Sequence, residues 1–347
     1  LFPYTTLFRS NVPFDVIVAN PPYGTKWSGF ERDIKNDQTG QFAGGLPAVS
    51  DGQLLFMQHI LWQLGDKGIA VEVHNGSTLF SGDAGGGESN IRKYIFDHDW
   101  VEAIIQMPQN EFFNTGIYTY LWIMNKNKPE ERRNKVALIE GSNGWTLLKK
   151  SKGDKRREMR LEHRKAIVDA LLNFVPSDIC KIYDREYFYY NKQFLTLTDI
   201  DDKGMSVADT ICLNGKIKVE AEEYRFDEEQ NTMIRTSDGK TVGCGKFTYK
   251  TKKDRKTGAQ VTETYIEPVY INDYEIIPHH FDAVKNEEEI SRFMDKYIFK
   301  PYTLGKNVVG VELNFNKEFY VPEVIPAADA IMQEIEDLEK NIKAIVL

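Results

Sequence analysis

Phe14 to Ala19 (FDVIVA) is a short, almost wholly apolar run rich in β-branched residues, the pattern of a buried parallel strand. Asn20-Pro21-Pro22-Tyr23-Gly24 stops it abruptly, because neither proline can donate to a strand ladder. A polar, glycine-rich stretch follows to Val49. Leu54, Leu55, Ile60, Leu61 and Leu64 then fill one face of a helix that Ser50 or Asp51 can cap and that Gly65 and Gly68 end. Ile69–Val73 reads as the next strand, Ser89–Asp97 as a helix, and Val101–Met107 and Ile117–Met124 as two more strands. Strands alternating with helices predict a doubly wound parallel sheet, with the last two strands forming an antiparallel hairpin at its edge.

After about Asn125 the pattern changes. Lys149–Lys165 holds nine Lys/Arg against three Asp/Glu, a local charge of +6. Such a run is either a solvated helix or loop, or a surface that tracks phosphates. Val168–Phe174 continues as an amphipathic helix. Residues 180–275 are rich in Tyr, Thr, Asp and Gly, with short strand-like runs and a turn signal at Asp238-Gly239. Asn286–Phe299 looks helical. After Pro326, the residues Ile331, Ile335, Leu338, Ile342 and Ile345 alternate at four- and three-residue spacing, which is a heptad stripe. It suits packing on the parent domain or a seam with a partner helix.

Hydrophobic residues make up 41% and charged residues 28%, enough for a buried core. No apolar run approaches a membrane span, and the start carries no signal-peptide pattern. Cys180, Cys212 and Cys244 are widely spaced and odd in number, which argues against a disulfide framework or zinc site and fits a reducing cytosol. His279-His280 lacks acidic or cysteine companions at ligand spacing, so no metal is expected. The net charge of −8 matters more, since a protein gripping DNA by itself is usually basic. Local basic patches, a partner carrying the grip, or a substrate other than DNA would each account for it. Leu1–Ser10 (LFPYTTLFRS) resembles the translation of a common sequencing adapter, which would make Asn11 the first genuine residue and put missing sequence upstream.

The sharpest chemical signal is Asn20-Pro21-Pro22-Tyr23 at the carboxyl end of a strand, the edge at which open α/β sheets bind ligands. An amino group on a planar ring is a poor nucleophile, because its lone pair is delocalised. Two fixed acceptors for its N–H groups favour a more tetrahedral nitrogen and aim the lone pair. The Asn20 side-chain oxygen can be one acceptor and the Pro21 carbonyl the other, held stiffly by two successive prolines. Tyr23 offers a face for stacking a base. With S-adenosylmethionine as donor, the positive sulfonium makes a separate metal unnecessary and transfer needs mostly positioning. The motif alone leaves adenine, guanine in RNA and a protein glutamine open as acceptors. A plain strand-ending turn is the alternative without chemistry.

The neighbours of the motif narrow this. NPPYGTKW, FAGGLPAVSDGQLLFMQHIL, the stretch from LFSGDAGGGESNIRKYIFD to YLWIMNKNK, YEIIPHHFD and the closing VPEVIPAADAIMQEIEDLEKNIKAIVL together resemble modification subunits of type I restriction–modification systems, over essentially residues 11–347. The resemblance implies transfer of methyl from S-adenosylmethionine to the exocyclic nitrogen of a flipped adenine in DNA. Asn20, Pro21, Pro22 and Tyr23 match the family's catalytic motif, with Asn20 also on the rim of the cofactor site. Phe112 in EFFNTG matches an aromatic expected to contact the target base, with Phe113 the alternative and a core aromatic the plain reading. The implied partners are a specificity subunit docked on the Ile331–Ile345 stripe, a second modification subunit, and a restriction or motor subunit.

The family's glycine-rich cofactor turn has no counterpart in this sequence. Gly82–Gly87 (GDAGGG) follows the catalytic strand and reads as a flexible turn. The expected organisation is an artefactual segment at 1–10, a partial methyltransferase domain at 11–148 and a mixed region at 149–325. A partner-binding helix at 326–347 completes it. The fold class is the C-terminal part of a Rossmann-like sheet, followed by α+β structure and a C-terminal helix. A protein-glutamine or RNA methyltransferase and a non-catalytic docking remnant are the competing readings.

Overall fold

In the computed structural model, which describes residues 13–198, 217–218, 224–227, 232–239, 241–268, 270–299, 302–320 and 328–346, the apolar runs fold as strands. The expectation for Leu1–Ser10 lies outside those residues. The strands are β1 (Phe14–Ala19), β2 (Leu64–Asn75), β3 (Val101–Met107), β4 (Thr119–Asn125), β5 (Lys135–Glu140), β6 (Thr146–Lys152), β7 (Lys155–Glu158) and β8 (Cys180–Asp184). Among them come the helices α1 (Glu31–Lys35), α2 (Gln53–Gln63), α3 (Ser77–Phe80), α4 (Gly87–Asp97) and α5 (Leu161–Asn173).

Six of these strands form one sheet, in the order β1-β2-β4-β3-β5-β8. β1 is parallel to β2 and β3 to β5, whereas β4 is antiparallel to both neighbours and β8 to β5. The architecture is therefore α/β with a mixed sheet, in which antiparallel pairing extends beyond the single edge hairpin expected in an otherwise parallel sheet. β3 and β4 do pair antiparallel, but inside the sheet and not at its edge. The burial of β4 explains this: Tyr120, Trp122, Ile123 and Met124 cover both of its faces and all are buried. An edge strand would leave one flank of that apolar surface wet. One face of the sheet packs Ala103, Ile105, Ile123, Ala137 and Ile139 against Ile167 of α5. Ile104, Trp122, Met124 and Leu138 alternate with these residues and are fully buried on the other side.

β1 departs from the expected buried strand. It is the edge strand of this sheet, and Val16 and Val18 are 65% and 76% exposed. A flat apolar edge of this kind templates pairing with another chain. The 347-residue chain is therefore expected to scatter light increasingly with concentration, and Val16→Lys to reduce that scattering. A stable monomer of the unaltered chain would contradict this.

The basic run, expected as a helix or loop, folds instead as the antiparallel β6–β7 hairpin leading into α5. Beyond β8 lie β9 (Tyr189–Thr198), β10 (Ile217–Lys218), β11 (Tyr224–Asp227), β12 (Thr232–Arg235), β13 (Thr241–Lys253), β14 (Gln260–Pro268), β15 (Tyr270–Pro278), α6 (Ala283–Tyr297) and β16 (Tyr302–Val311). β15-β9-β16 form an antiparallel sheet, onto which Ile290 and Met294 of α6 pack through Leu195 and Ile277. Asp282 caps α6 by accepting from the Val284 and Lys285 amides. The order β10-β14-β13-β12-β11 makes a further, five-stranded sheet, with Asp238-Gly239 between β12 and β13.

Arg92 of α4 joins this later region to the first sheet. Its buried guanidinium donates to the carbonyls of Val311 (2.7 Å), Ser81 (2.7 Å), Thr78 (3.3 Å) and Gly82 (3.4 Å). Residues 314–347 form a separate unit containing α7 (Phe315–Phe319) and α8 (Ala328–Val346). Ile331, Ile335, Leu338 and Ile342 are exposed on α8, and the Ile345 side chain lies outside the described residues. Among the described residues, no helix is long and apolar enough to cross a membrane, and no group of three or more His, Cys, Asp or Glu is placed to hold a metal ion. His279 is instead tied to Asn191 Oδ1 at 3.0 Å.

Candidate active site

β1, β2, β3 and β5 all run in one direction, so their carboxyl ends share one end of the sheet. That end gathers Asn20–Tyr23, Asn75–Ser77, the 108–118 loop and the 141–145 segment. Ligands of open α/β sheets bind at such an end.

Asn20 is exposed just past β1, and Tyr23 folds back so that its hydroxyl donates to Asn20 Oδ1 at 2.9 Å. Burial pushes the Tyr23 phenol up to about 12, so it stays protonated and a donor at neutral pH. One lone pair of the Asn20 oxygen is thus occupied, which fixes the side chain and leaves the other for an incoming N–H. The chain after Tyr23 is anchored by Trp27, which is 1% exposed and packs with Ile34 and Leu55. The Trp27 indole N–H donates to Ala48 O (3.0 Å), its amide to Val49 O (3.1 Å), and the Gly52 amide to Thr25 O (2.9 Å). The loop is therefore fastened to the start of α2 rather than free.

A polar network missed by sequence reasoning lies behind that anchor. Gln53 Nε2 donates to Asp51 Oδ2 (2.8 Å) and Asn75 Oδ1 (3.0 Å), and Gln53 Oε1 accepts from the Asn75 amide (3.0 Å). The Ser77 hydroxyl donates to Asp51 Oδ2 at 3.0 Å. Asp51 also accepts from the Gln53 amide at 3.1 Å, so of the two expected caps it is Asp51 that binds the first turn of α2. The only sequence signal was polar residues clustered at the ends of two apolar elements. Asp51, Gln53 and Ser77 of this network line a cleft of about 250 Å³ together with Ser50, Ser81 and Glu88. A larger cavity, about 560 Å³, lies between Arg132, Lys135, Phe174 and Asp184, at the amino end of β5. It is remote from the Asn20 end of the sheet, and we assign it no role in the chemistry.

Glu72 and His74 lie under the site in β2, with Glu72 in register with Ala19. Both side chains are fully buried and 3.1 Å apart, without an aligned hydrogen bond between them. Burial pushes the Glu72 carboxyl up by more than the nearby His74 lowers it. A carboxyl raised in the folded state gives stability that is present at low pH and lost as pH rises through its folded value. Glu72→Gln removes the ionisation, so its melting temperature should gain on the parent's as pH rises from about 4 to about 8. A constant difference across that range would contradict this.

Phe112 is half-buried and Phe113 is 58% exposed, both in the loop after β3. Three strand spacings, roughly 14 Å, separate β3 from β1 in the sheet. The Phe112 loop is braced by the β6–β7 hairpin. Asp154 N donates to Phe113 O (3.0 Å), and Arg156 N and Arg157 N donate to Asn110 O (3.0 and 3.2 Å). Lys155 Nζ meets both Glu111 O (2.7 Å) and Glu111 Oε1 (2.8 Å). Gly153, at φ +62°, lies so close that a Cβ there would sit 2.6 Å from Phe113 O.

S-adenosylmethionine fits the described residues only in part. Asn20, expected at the rim of such a site, is exposed at the end of β1. The glycine-rich Gly82–Gly87 segment is a structural turn: its Gly82 carbonyl faces Arg92, and a Cβ on Gly87 would lie 1.8 Å from Leu46 O. Backbone packing thus accounts for that segment without a phosphate or sulfonium ligand.

The N-6 DNA methylase family model matches residues 4–206. The type I restriction enzyme MpnII methylase subunit of Mycoplasma pneumoniae is 35% identical over 139 residues, covering 40% of this chain and 25% of that protein. The MjaVIII methylase subunit of Methanocaldococcus jannaschii is 29% identical over 188 residues, or 53% and 31% of the two chains. The chain thus spans about a quarter to a third of the length of these relatives. A type I restriction–modification methyltransferase subunit from Streptococcus thermophilus superposes with TM-score 0.45 and 26% identity, over 52% of this chain and 36% of that one. With its family match extending over more than half of its length, the chain belongs to the N-6 DNA methylase family.

Proposed function

We propose that this chain is part of a DNA adenine-N6 methyltransferase, the modification subunit of a type I restriction–modification system. The observation that carries the reading is the Asn-Pro-Pro-Tyr turn at the carboxyl end of β1, with the Asn20 oxygen exposed and held by Tyr23. Asn20 Oδ1 and the Pro21 carbonyl accept the two N–H groups of the target amino group, and Pro22 stiffens the turn. Tyr23 stacks on the flipped base, and Phe112 contacts it from the β3 side. Phe113 is the alternative there. S-adenosylmethionine supplies an electrophilic methyl group, with Asn20 at the rim of its site. In this reading residues 11–148 are the catalytic part, 149–325 a mixed region and 326–347 a partner helix.

The Ile331, Ile335, Leu338, Ile342 and Ile345 stripe docks a specificity subunit, which supplies the sequence reading and part of the grip on DNA. A second modification subunit and a restriction or motor subunit complete the assembly. The test offers labelled S-adenosylmethionine to the full-length gene product and its partner, with duplex DNA, RNA and a glutamine-bearing protein as competing acceptors. Label on DNA adenine is expected. Label on RNA or glutamine would establish the related enzymes instead, and label on none would leave a docking module.

A further inference from the structure

The basic run has acquired a place in the fold that its charge alone did not give it. Among the described residues, Lys149, Lys150, Lys152, Arg156, Arg164 and Lys165 are exposed and hold no ion pair. Of the hairpin cations, Lys155 alone is paired there, to Glu111 of the Phe112 loop. Arg157 lies over the Trp145 ring, 3.9 Å from its centroid, and so stiffens the base of the hairpin. A concentration of unpaired cations in a chain of net charge −8 repels itself and gains most from a polyanion. The hairpin also hangs at the carboxyl end of the sheet, its backbone bonded to Asn110 and Phe113. Any polyanion on it is therefore held beside the Phe112 loop.

We infer that the β6–β7 hairpin and the first turns of α5 form a clamp for the phosphate backbone of duplex DNA, next to the base presented to Asn20. The inference rests on the methyltransferase reading for the identity of the polyanion. Duplex DNA is favoured over an acidic protein because the cations adjoin the loop proposed to receive the base. The hairpin contacts phosphates without reading sequence, so this chain would carry weak, salt-sensitive, sequence-independent affinity. Sequence recognition would come from elsewhere.

The test measures binding of the 347-residue chain to a labelled duplex of arbitrary sequence by fluorescence anisotropy, across a salt series. With about four phosphates contacted, affinity should fall roughly 100-fold between about 50 and about 200 mM salt. Changing Lys149, Lys150, Lys152 and Arg156 to Gln should flatten the log–log salt slope by about 3 to 4. Exchanging Lys and Arg at the same positions should preserve it. These side chains are exposed, and circular dichroism of the variants checks that the fold is kept. An unchanged slope in the Gln variant overturns the inference, as does an equal loss of affinity for poly-glutamate. Acceptor labelling in the full-length complex separates the two claims. DNA methylation with an unchanged slope sinks only the clamp, whereas a flattened slope without DNA methylation sinks only the enzyme reading.

Discussion

Asn20→Ala is expected to lower the rate of methyl transfer by at least about 100- to 1,000-fold in the full-length complex, the loss seen when one fixed polar group is removed from a reacting centre. The effect should fall on the chemical step. Asn20 is exposed on the strand end and bonded to the Tyr23 hydroxyl, so its removal leaves the strand and the Trp27 anchor in place. DNA affinity and partner docking should change little. Asn20→Asp keeps an acceptor oxygen but adds a charge, and should retain more activity than the alanine variant. Single-turnover transfer with saturating DNA measures this directly. A rate within about threefold of the parent would remove Asn20 from the mechanism, since a catalytic acceptor is worth far more than that.

Arg92→Ala is expected to destabilise the fold by about 3–5 kcal/mol. The guanidinium is fully buried and serves carbonyls from the chain before α4, the Gly82 turn and the end of β16. Its loss leaves several buried acceptors unpaired, each worth about 1–3 kcal/mol, and opens a cavity between α4 and β16. Arg92→Lys retains the charge but has a single nitrogen to span carbonyls from three segments, so it should recover only part of the loss. Urea denaturation of the three proteins gives the comparison. A change under about 1 kcal/mol for the alanine variant would mean that the Arg92 contacts do not hold β16 to the sheet.

The parts of the fold legible in the sequence are those that strong local chemistry dictates. The prolines after Ala19 ended β1 where the structure ends it, and Val101–Met107 is a strand with the bounds its apolar run suggested. The antiparallel pairing of β3 with β4 was legible from their short connection, but the position of β4 inside the sheet was not, because apolar periodicity records burial and not strand order. Its placement between β2 and β3 follows from burial on both faces, a property of the assembled sheet. The β6–β7 hairpin was hidden for the opposite reason. Lys and Arg on both faces erase the alternation that marks a half-buried strand.

The candidate site divides in the same way. Asn20–Tyr23 is contiguous and stands out in the sequence. Asp51, Gln53, Asn75 and Ser77 form their network across more than twenty residues, so only the tertiary fold reveals it. The link between Glu111 and Lys155 likewise joins a loop to a charged run forty-four residues away.

The most direct measurement is the N6-methyladenine content of genomic DNA from a host without adenine methylation, after expression of the full-length gene and its specificity partner. N6-methyladenine at one recurring sequence, absent when Asn20→Ala is introduced, is the expected result. DNA that stays unmethylated with the intact gene, or stays methylated with the Asn20→Ala variant, would contradict the assignment of the Asn-Pro-Pro-Tyr turn as the catalytic centre.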